Sequence, residues 1–148
     1  MSVCTFFGHR DTSWKLEEEL CGLLRELILS TDIDVFYIGN QGDFDKIALS
    51  AVKKMQAEFL HIKYFVVLAY LPIKNKIDEE NSLYPEGLEN VPKRFAINSR
   101  NKWLVDNSDF VITCVSRNFG GAAKFKEYAE RKNKKVIELN CLARKGIL

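Results

Sequence analysis

Val3-Cys4-Thr5-Phe6-Phe7-Gly8-His9-Arg10 starts the chain with a short apolar run that stops on a glycine followed by two nitrogen-bearing side chains. After Asp11-Thr12-Ser13, the residues Trp14, Leu16, Leu20, Leu23, Leu24, Leu27 and Ile28 recur largely at three-and-four spacing, the period of a helix with one apolar face. Ser13 suits its N-cap, and Glu17, Glu18 and Glu19 suit the positive end of its dipole. Strand, glycine turn, helix is therefore the local unit.

The unit recurs along the chain. Val35-Phe36-Tyr37-Ile38 runs into Gly39-Asn40-Gln41-Gly42-Asp43 and a helix carrying Ile47, Ala48, Ala51, Val52, Met55 and Phe59. A third apolar run, Tyr64 to Leu71, lacks polar alternation, so it reads as a central strand buried on both faces and closed by Pro72. Residues 73–91 are too long and polar for a simple connection and read as a binding loop or lid. Pro92 suits the first turn of a helix that continues to Asn107. Asp109 to Val115 is the fourth strand, Gly120-Gly121 opens a helix to about Lys132, and Val136 to Leu139 is the fifth strand. The pattern predicts an α/β domain of three layers, with about five mainly parallel strands and helices on both faces. Right-handed crossovers gather the loops that follow the strands along one edge, where open parallel sheets take their ligands.

Composition agrees with one domain spanning residues 1–148. The chain is 47% hydrophobic and 28% charged, and a chain of this size buries roughly 70% of its unfolded surface without metal or disulfide staples. Twenty-two Lys plus Arg against 20 Asp plus Glu leave a net charge of +2, too small an excess for a footprint on duplex DNA or an anionic membrane. The run 64–71 is far shorter than the ~20 residues of a membrane span. No basic region or small-residue cleavage site marks the first residues, so a cytoplasmic location is expected. Cys4, Cys21, Cys114 and Cys141 are too widely spaced for a CxxC motif and read as small buried hydrophobes, with no metal or other cofactor expected.

Three glycine turns carry the candidate site. At the first, Gly8 lets a ligand approach the backbone, while His9 and Arg10 offer donors to an anion; a solvated tight turn is the alternative. At the second, Gly39 and Gly42 precede a helix start, and Asp43 and Asp45 either cap that helix or meet a ribose hydroxyl. At the third, Gly120 and Gly121 open a helix with Lys124 one turn in, so backbone donors and a mobile cation converge as in a phosphate cradle. Neither the dinucleotide GxGxxG spacing nor the Walker spacing is present. Arg100, on a helix between Ile97 and Leu104, faces either the ligand edge or solvent. Glu127 either works at the site or pairs with Arg131 four residues on.

Thr5-Phe6-Phe7-Gly8-His9-Arg10, the turn from Gly39 to Asp45 with Ala48, Arg100-Asn101 with Ser108-Asp109, and Gly120-Gly121 with Glu127 together resemble the SLOG superfamily. That is the Rossmann-like fold of the LOG-type nucleotide hydrolases, the DNA-processing protein DprA and the YpsA-like bacterial proteins, and the likeness is greatest to the YpsA-like branch. The resemblance implies that Arg100 and Glu127 occupy the catalytic Arg and Glu places of the LOG motif PGGxGTxxE, and that Gly120 and Gly121 match its double glycine. Phe119, Ala123 and Lys124 stand where that motif has Pro, Gly and Thr, and Asn101 stands where Lys follows the Arg. Asp45-x-x-Ala48 looks like the D-x-x-A of DprA and YpsA-like proteins, implying a ligand contact by Asp45.

These features lead to three expectations. The first is a binding or sensor domain for a nucleotide or a nucleotide-derived ribose phosphate, held by Gly8, His9, Arg10, Gly39, Gly42, Asp45, Gly120, Gly121 and Lys124. The second is N-glycosidic hydrolysis of a nucleoside 5'-monophosphate by Arg100 and Glu127. The third is a single-stranded nucleic-acid module, with Trp14, Tyr84 and Phe119 as stacking surface. The expected partner is a small nucleotide, with DNA disfavoured by the net charge and no membrane; family likeness adds a homodimer.

Overall fold

Successive side chains of the first strand, β1 (Ser2–Gly8), point to opposite faces, and each face meets a different pair of helices. Cys4 and Phe6 join one core with Leu20, Leu24 and Ile28 of α1 (Glu17–Ser30) and Phe44, Ile47, Ala51 and Met55 of α2 (Asp43–Glu58). Phe7 joins a second core with Leu104 and Val105 of α3 (Ala96–Asp106) and Ala122, Phe125 and Ala129 of α4 (Gly121–Arg131). Stacked rings anchor both sides: Phe6 on Phe36 at 5.9 Å and Phe7 on Phe125 at 5.6 Å between centroids. The three layers expected from the sequence are thus present. The computed structural model describes residues 1–71 and 81–139.

The remaining strands are β2 (Ile33–Ile38), β3 (Lys63–Val67), β4 (Ser82–Leu83), β5 (Phe110–Cys114) and β6 (Lys135–Glu138). They form one six-stranded sheet in the order β4-β3-β2-β1-β5-β6. Every pairing is parallel. This is a Rossmann-like α/β architecture. Strand order reverses at β1, whose neighbours are β2 on one side and β5 on the other, so the crossovers leaving β1 and β5 diverge and open a crevice between their C-terminal ends.

Three details differ from the sequence reading. The sheet has six strands rather than about five, because Ser82 and Leu83 pair with Val66 and Val67 and cover the outer edge of β3. A two-residue strand leaves no periodicity to read. Part of the stretch expected as a loop or lid is accordingly packed structure: beyond β4, a 3-10 turn at Leu88–Asn90 buries Leu88. Residues 73–80 of that stretch lie outside the described residues. The third apolar run is strand only through Val67, after which the Leu68 N–H donates to the Leu83 carbonyl at 2.8 Å. The helix expected from Pro92 begins as a 3-10 turn, Lys93–Phe95, before α3 proper.

No helix among the described residues is long and apolar enough to cross a membrane. Cys4 and Cys114 are buried, as read from their apolar surroundings, whereas Cys21 is only partly so and Cys141 lies outside the described residues.

Gly8 sits where β1 ends against α2. A Cβ there would lie 2.2–2.7 Å from ring carbons of Phe44, a fully buried side chain with no room to retreat. Gly8→Ala is therefore expected to overpack the junction and cost about 1–3 kcal/mol. Thermal unfolding followed by circular dichroism checks this; an unchanged Tm would contradict it.

Candidate functional site

The crevice outside β1 and β5 is a cavity of about 520 Å³. The loop after β1 supplies one wall through Gly8, His9, Arg10 and Asp11, and the loop after β2 adds Gly39 and Gln41. Arg117, Phe119 and the first residues of α4 close the opposite side, and Arg100 and Asn101 of α3 border it from below.

Arg100 is only 2% exposed. Its Nη1 donates to the Val67 carbonyl at the end of β3 at 2.8 Å, and its Nε donates to Asn101 Oδ1 at 2.9 Å. A longer contact of 3.5 Å reaches Asn40 Oδ1. Burial pushes the guanidinium's pKa down, offset by the Asp45 carboxylate. Asp45, in the first turn of α2, caps no helix; its Oδ2 accepts the Gln41 N–H at 2.8 Å and so pins the loop after β2. Burial raises the Asp45 carboxyl to about 6, against the opposing pull of Arg100, the Gln41 N–H and Arg10.

Two glycines explain how these groups come so close. Gly42 has φ 91°, a region that favours glycine, and a Cβ there would lie 2.7–2.9 Å from Arg10. It clears the path of Arg10, whose carbonyl accepts the Asp43 N–H at 2.9 Å. At Gly39 a Cβ would lie 2.8 Å from Asp45 Oδ2 and 3.2 Å from the Arg100 guanidinium carbon. Any side chain there would fill the space between them.

Across the cavity, Gly120 is the N-cap of α4, and no side chain caps that helix. The unpaired N–H groups of a helix's first turn carry partial positive charge and favour an anion. His9 is buried, and its Nε2 accepts the Ser116 N–H at 3.0 Å, tying the loop after β1 to the loop after β5. That acceptor role places the imidazole proton on Nδ1. Arg117 pairs with Asp11 at 2.9 Å and lies 5.7 Å from the centroid of the Phe119 ring, which is 66% exposed. The Asp11 carboxyl is held below the usual range by its own backbone N–H and then by Arg117.

Of the residues singled out from the sequence, the cavity gathers Gly8, His9, Arg10, Gly39, Asp45, Arg100, Gly120 and Gly121. Gly42 stands behind Arg10 rather than on the wall. Lys124 is outside the lining, its Nζ 5.4 Å from the centroid of the Phe125 ring. Glu127 is exposed and borders a neighbouring groove of about 370 Å³ with Ser116, Asn118, Lys126 and Glu130, which shares Arg117 with the cavity. Glu127 is thus not among the residues that line the cavity with Arg100.

The sequence reading missed Asp11, Gln41 and Arg117. Arg117 left the best signal, as a cation in the loop after a predicted strand and three residues before Gly120. Two further cation–aromatic pairs precede α3, on the same sheet edge: Lys93 lies 5.7 Å from the Tyr70 ring centroid, and Arg94 lies 4.8 Å from that of Phe95.

No family model matches the chain, and no curated protein matches it by sequence. Solved structures do match. DNA processing protein A (DprA) from Streptococcus pneumoniae superposes with a TM-score of 0.71 at 16% identity, over 95% of this chain and 50% of the other. DprA from Helicobacter pylori, a structure described for its single-stranded DNA binding mode, superposes with a TM-score of 0.66 at 20% identity, over 94% of this chain and 65% of the other. This chain thus spans half the length of the first relative and just under two thirds of the second. The expected exclusion of DNA in favour of a small nucleotide partner is corrected here, since this fold is that of a protein with a single-stranded DNA binding mode. A net charge of +2 describes the whole surface and does not report a local cluster of cations. The chain has the Rossmann-like fold of the DprA structures.

Proposed function

We propose that the chain binds single-stranded nucleic acid along the edge of the sheet where the strands end. The observation that carries this reading is the interleaving of cations with accessible rings on that edge: Arg117 with Phe119, Arg94 with Phe95, and Lys93 with Tyr70. Single strands need both, a cation to meet each phosphate and an aromatic face on which an unpaired base can stack. Arg10 and the uncapped start of α4 add donors for a phosphate at the cavity mouth. The structural neighbour from H. pylori, with its single-stranded DNA binding mode, supports the same ligand class.

The modest net charge is compatible with this. Cations remote from the edge are matched locally, Lys54 by Glu17 and Arg25 by Glu58, both on the α1–α2 side.

Fluorescence anisotropy of a labelled oligo-dT tests the reading. About three phosphate contacts predict a slope near −2 for log K against log salt. Arg10→Ala and Arg117→Ala should each make that slope shallower by about 0.7, and Phe119→Ala should weaken binding by about fivefold or more through lost stacking. An oligonucleotide that fails to bind at low salt overturns the proposal.

Asp45 adds a pH dependence whose sign is fixed. Its carboxyl becomes neutral as pH falls through about 6, removing a negative charge from the cavity wall, while phosphodiesters do not titrate in that range. Binding of oligo-dT should tighten from pH 7.5 to pH 5, and Asp45→Asn should remove the Asp45 part of that change. The same raised pKa acts on stability: its contribution is fully present below the ordinary value of 3.8 and is lost as pH rises through about 6. Urea unfolding at the two ends of that window should show wild type losing stability relative to Asp45→Asn as pH rises.

A further inference from the structure

The two flanks of α4 carry opposite charge. Glu127 and Glu130 line the neighbouring groove on the β6 side, where Lys126 pairs with Glu138. Lys124, Tyr128, Arg131 and Lys132 follow one another at helical spacing along the other flank. Tyr128 shows that this stripe meets α3: its hydroxyl donates to Asp106 at 2.9 Å, and Lys102 lies 5.8 Å from its ring centroid.

Three cations gather at that one ring. Arg131 and Lys132 lie 5.9 and 5.5 Å from the Tyr128 centroid, beside Lys102 from α3. Asp106 stands among them, 4.0 Å from Lys132 and shared with the Tyr128 hydroxyl. Lys102, Lys124 and Arg131 form no ion pair among the described residues, whereas Arg25 and Lys54 across the sheet each hold a carboxylate. Like charges brought together repel. The helix dipole accounts for Arg131 and Lys132, which close α4. It does not account for Lys102 in the body of α3, nor for Lys124 one turn from the start of α4, where a cation is disfavoured.

The stripe also has a fixed place on the fold. Lys124 lies one turn beyond Gly120 and Gly121, which line the cavity, so the seam between α3 and α4 starts at the cavity mouth. At its far end Asn133 takes φ 61°, and the Lys132 and Asn133 N–H groups donate to the Tyr128 and Glu130 carbonyls. That closed turn presents the exposed Arg131 and Lys132. From Gly121 to Arg131 the helix runs about 15 Å, the length of about four nucleotides at roughly 3.4 Å each. Tyr128 is half-buried with its hydroxyl engaged, so the seam offers charge to phosphates rather than a stacking face to bases.

We propose that a single strand leaving the crevice continues down the α3–α4 seam, its phosphates held by Lys124, Lys102, Arg131 and Lys132 without regard to base. The inference rests on the nucleic-acid reading above and goes beyond it by naming a second segment of the path, one that reads only the backbone.

The test uses the full chain and two labelled dT probes, one of about five nucleotides, which the crevice alone accommodates, and one of about twelve. For wild type the longer probe should steepen the slope of log K against log salt by about 2, as about three added phosphate contacts require. Lys102→Ala combined with Arg131→Ala should remove about 1.4 of that increment. Binding of the short probe should be unchanged in this variant, which also shows that it is folded. Lys53→Ala combined with Lys63→Ala takes the same charge from exposed positions on α2 and β3 and should keep the increment. A third probe, the short one extended by abasic sugar-phosphate units, should gain as much as the longer dT probe. The seam is overturned, with the crevice reading left standing, by a slope that does not steepen with length or by an abasic tail that gains nothing. An increment that survives in Lys102→Ala with Arg131→Ala, or that falls equally in Lys53→Ala with Lys63→Ala, overturns it as well. Failure of both dT probes to bind at low salt overturns both readings.

Discussion

β1 is paired in parallel on both sides, and the rest of the molecule follows from that constraint. A parallel neighbour on each side requires the chain to leave β1, cross over one face to reach β2, and return much later over the other face to β5. The two crossovers separate the core into an α1–α2 half and an α3–α4 half, each receiving alternate side chains of the same strand. Where they part, no helix covers the strand ends, and the cavity is the space left over. Gly8 is the last residue of β1 and lies on the cavity wall because the strand and the crevice meet there.

Within that crevice, charge is arranged by the backbone more than by ion pairs. A strand-end carbonyl holds Arg100, a loop N–H holds Asp45, and a histidine nitrogen takes the N–H of the opposite loop. These restraints keep the loops after β1, β2 and β5 in register with one another. The only direct ion pair on the cavity wall among the described residues, Arg117 with Asp11, lies at the rim, where water screens it and where rearrangement on ligand binding costs little. A rigid floor and a yielding rim follow from the same sequence positions.

Much of the architecture was legible because it depends on local patterns: apolar runs of strand length, glycine turns after them, and helical periodicity between. β4 was not legible, since two residues carry no period and their pairing depends on the exposed edge of a strand formed elsewhere. The site divides along the same line. Gly8, His9, Arg10, Gly120 and Gly121 announce themselves by following a strand or opening a helix, and Arg100 stood out as a cation on an otherwise apolar helix face and by its likeness to the LOG arginine. Its burial depends on the Val67 carbonyl, 33 residues away, which no local window contains. Glu127, singled out by its motif, stands two turns into α4 and lines the neighbouring groove rather than the cavity. Asp43 and Asp45 both admitted a capping reading, with Asp45 set apart by its likeness to D-x-x-A, and the bond from the Gln41 N–H shows Asp45 pinning the loop after β2.

The pairing of Val3 with Asp109 has a consequence for biosynthesis. The Val3 N–H donates to the Asp109 carboxylate at 3.0 Å, and the Asp109 N–H returns a bond to the Val3 carbonyl at 2.8 Å, a closure across 106 residues. Until β5 has emerged from the ribosome, β1 has one bare flank, α4 has not been made, and the crevice has only one side. A nascent chain that ends before Phe110 can assemble the α1–α2 half but cannot form the cavity. The cavity is therefore acquired as a whole once β5 and α4 dock, rather than built up in stages.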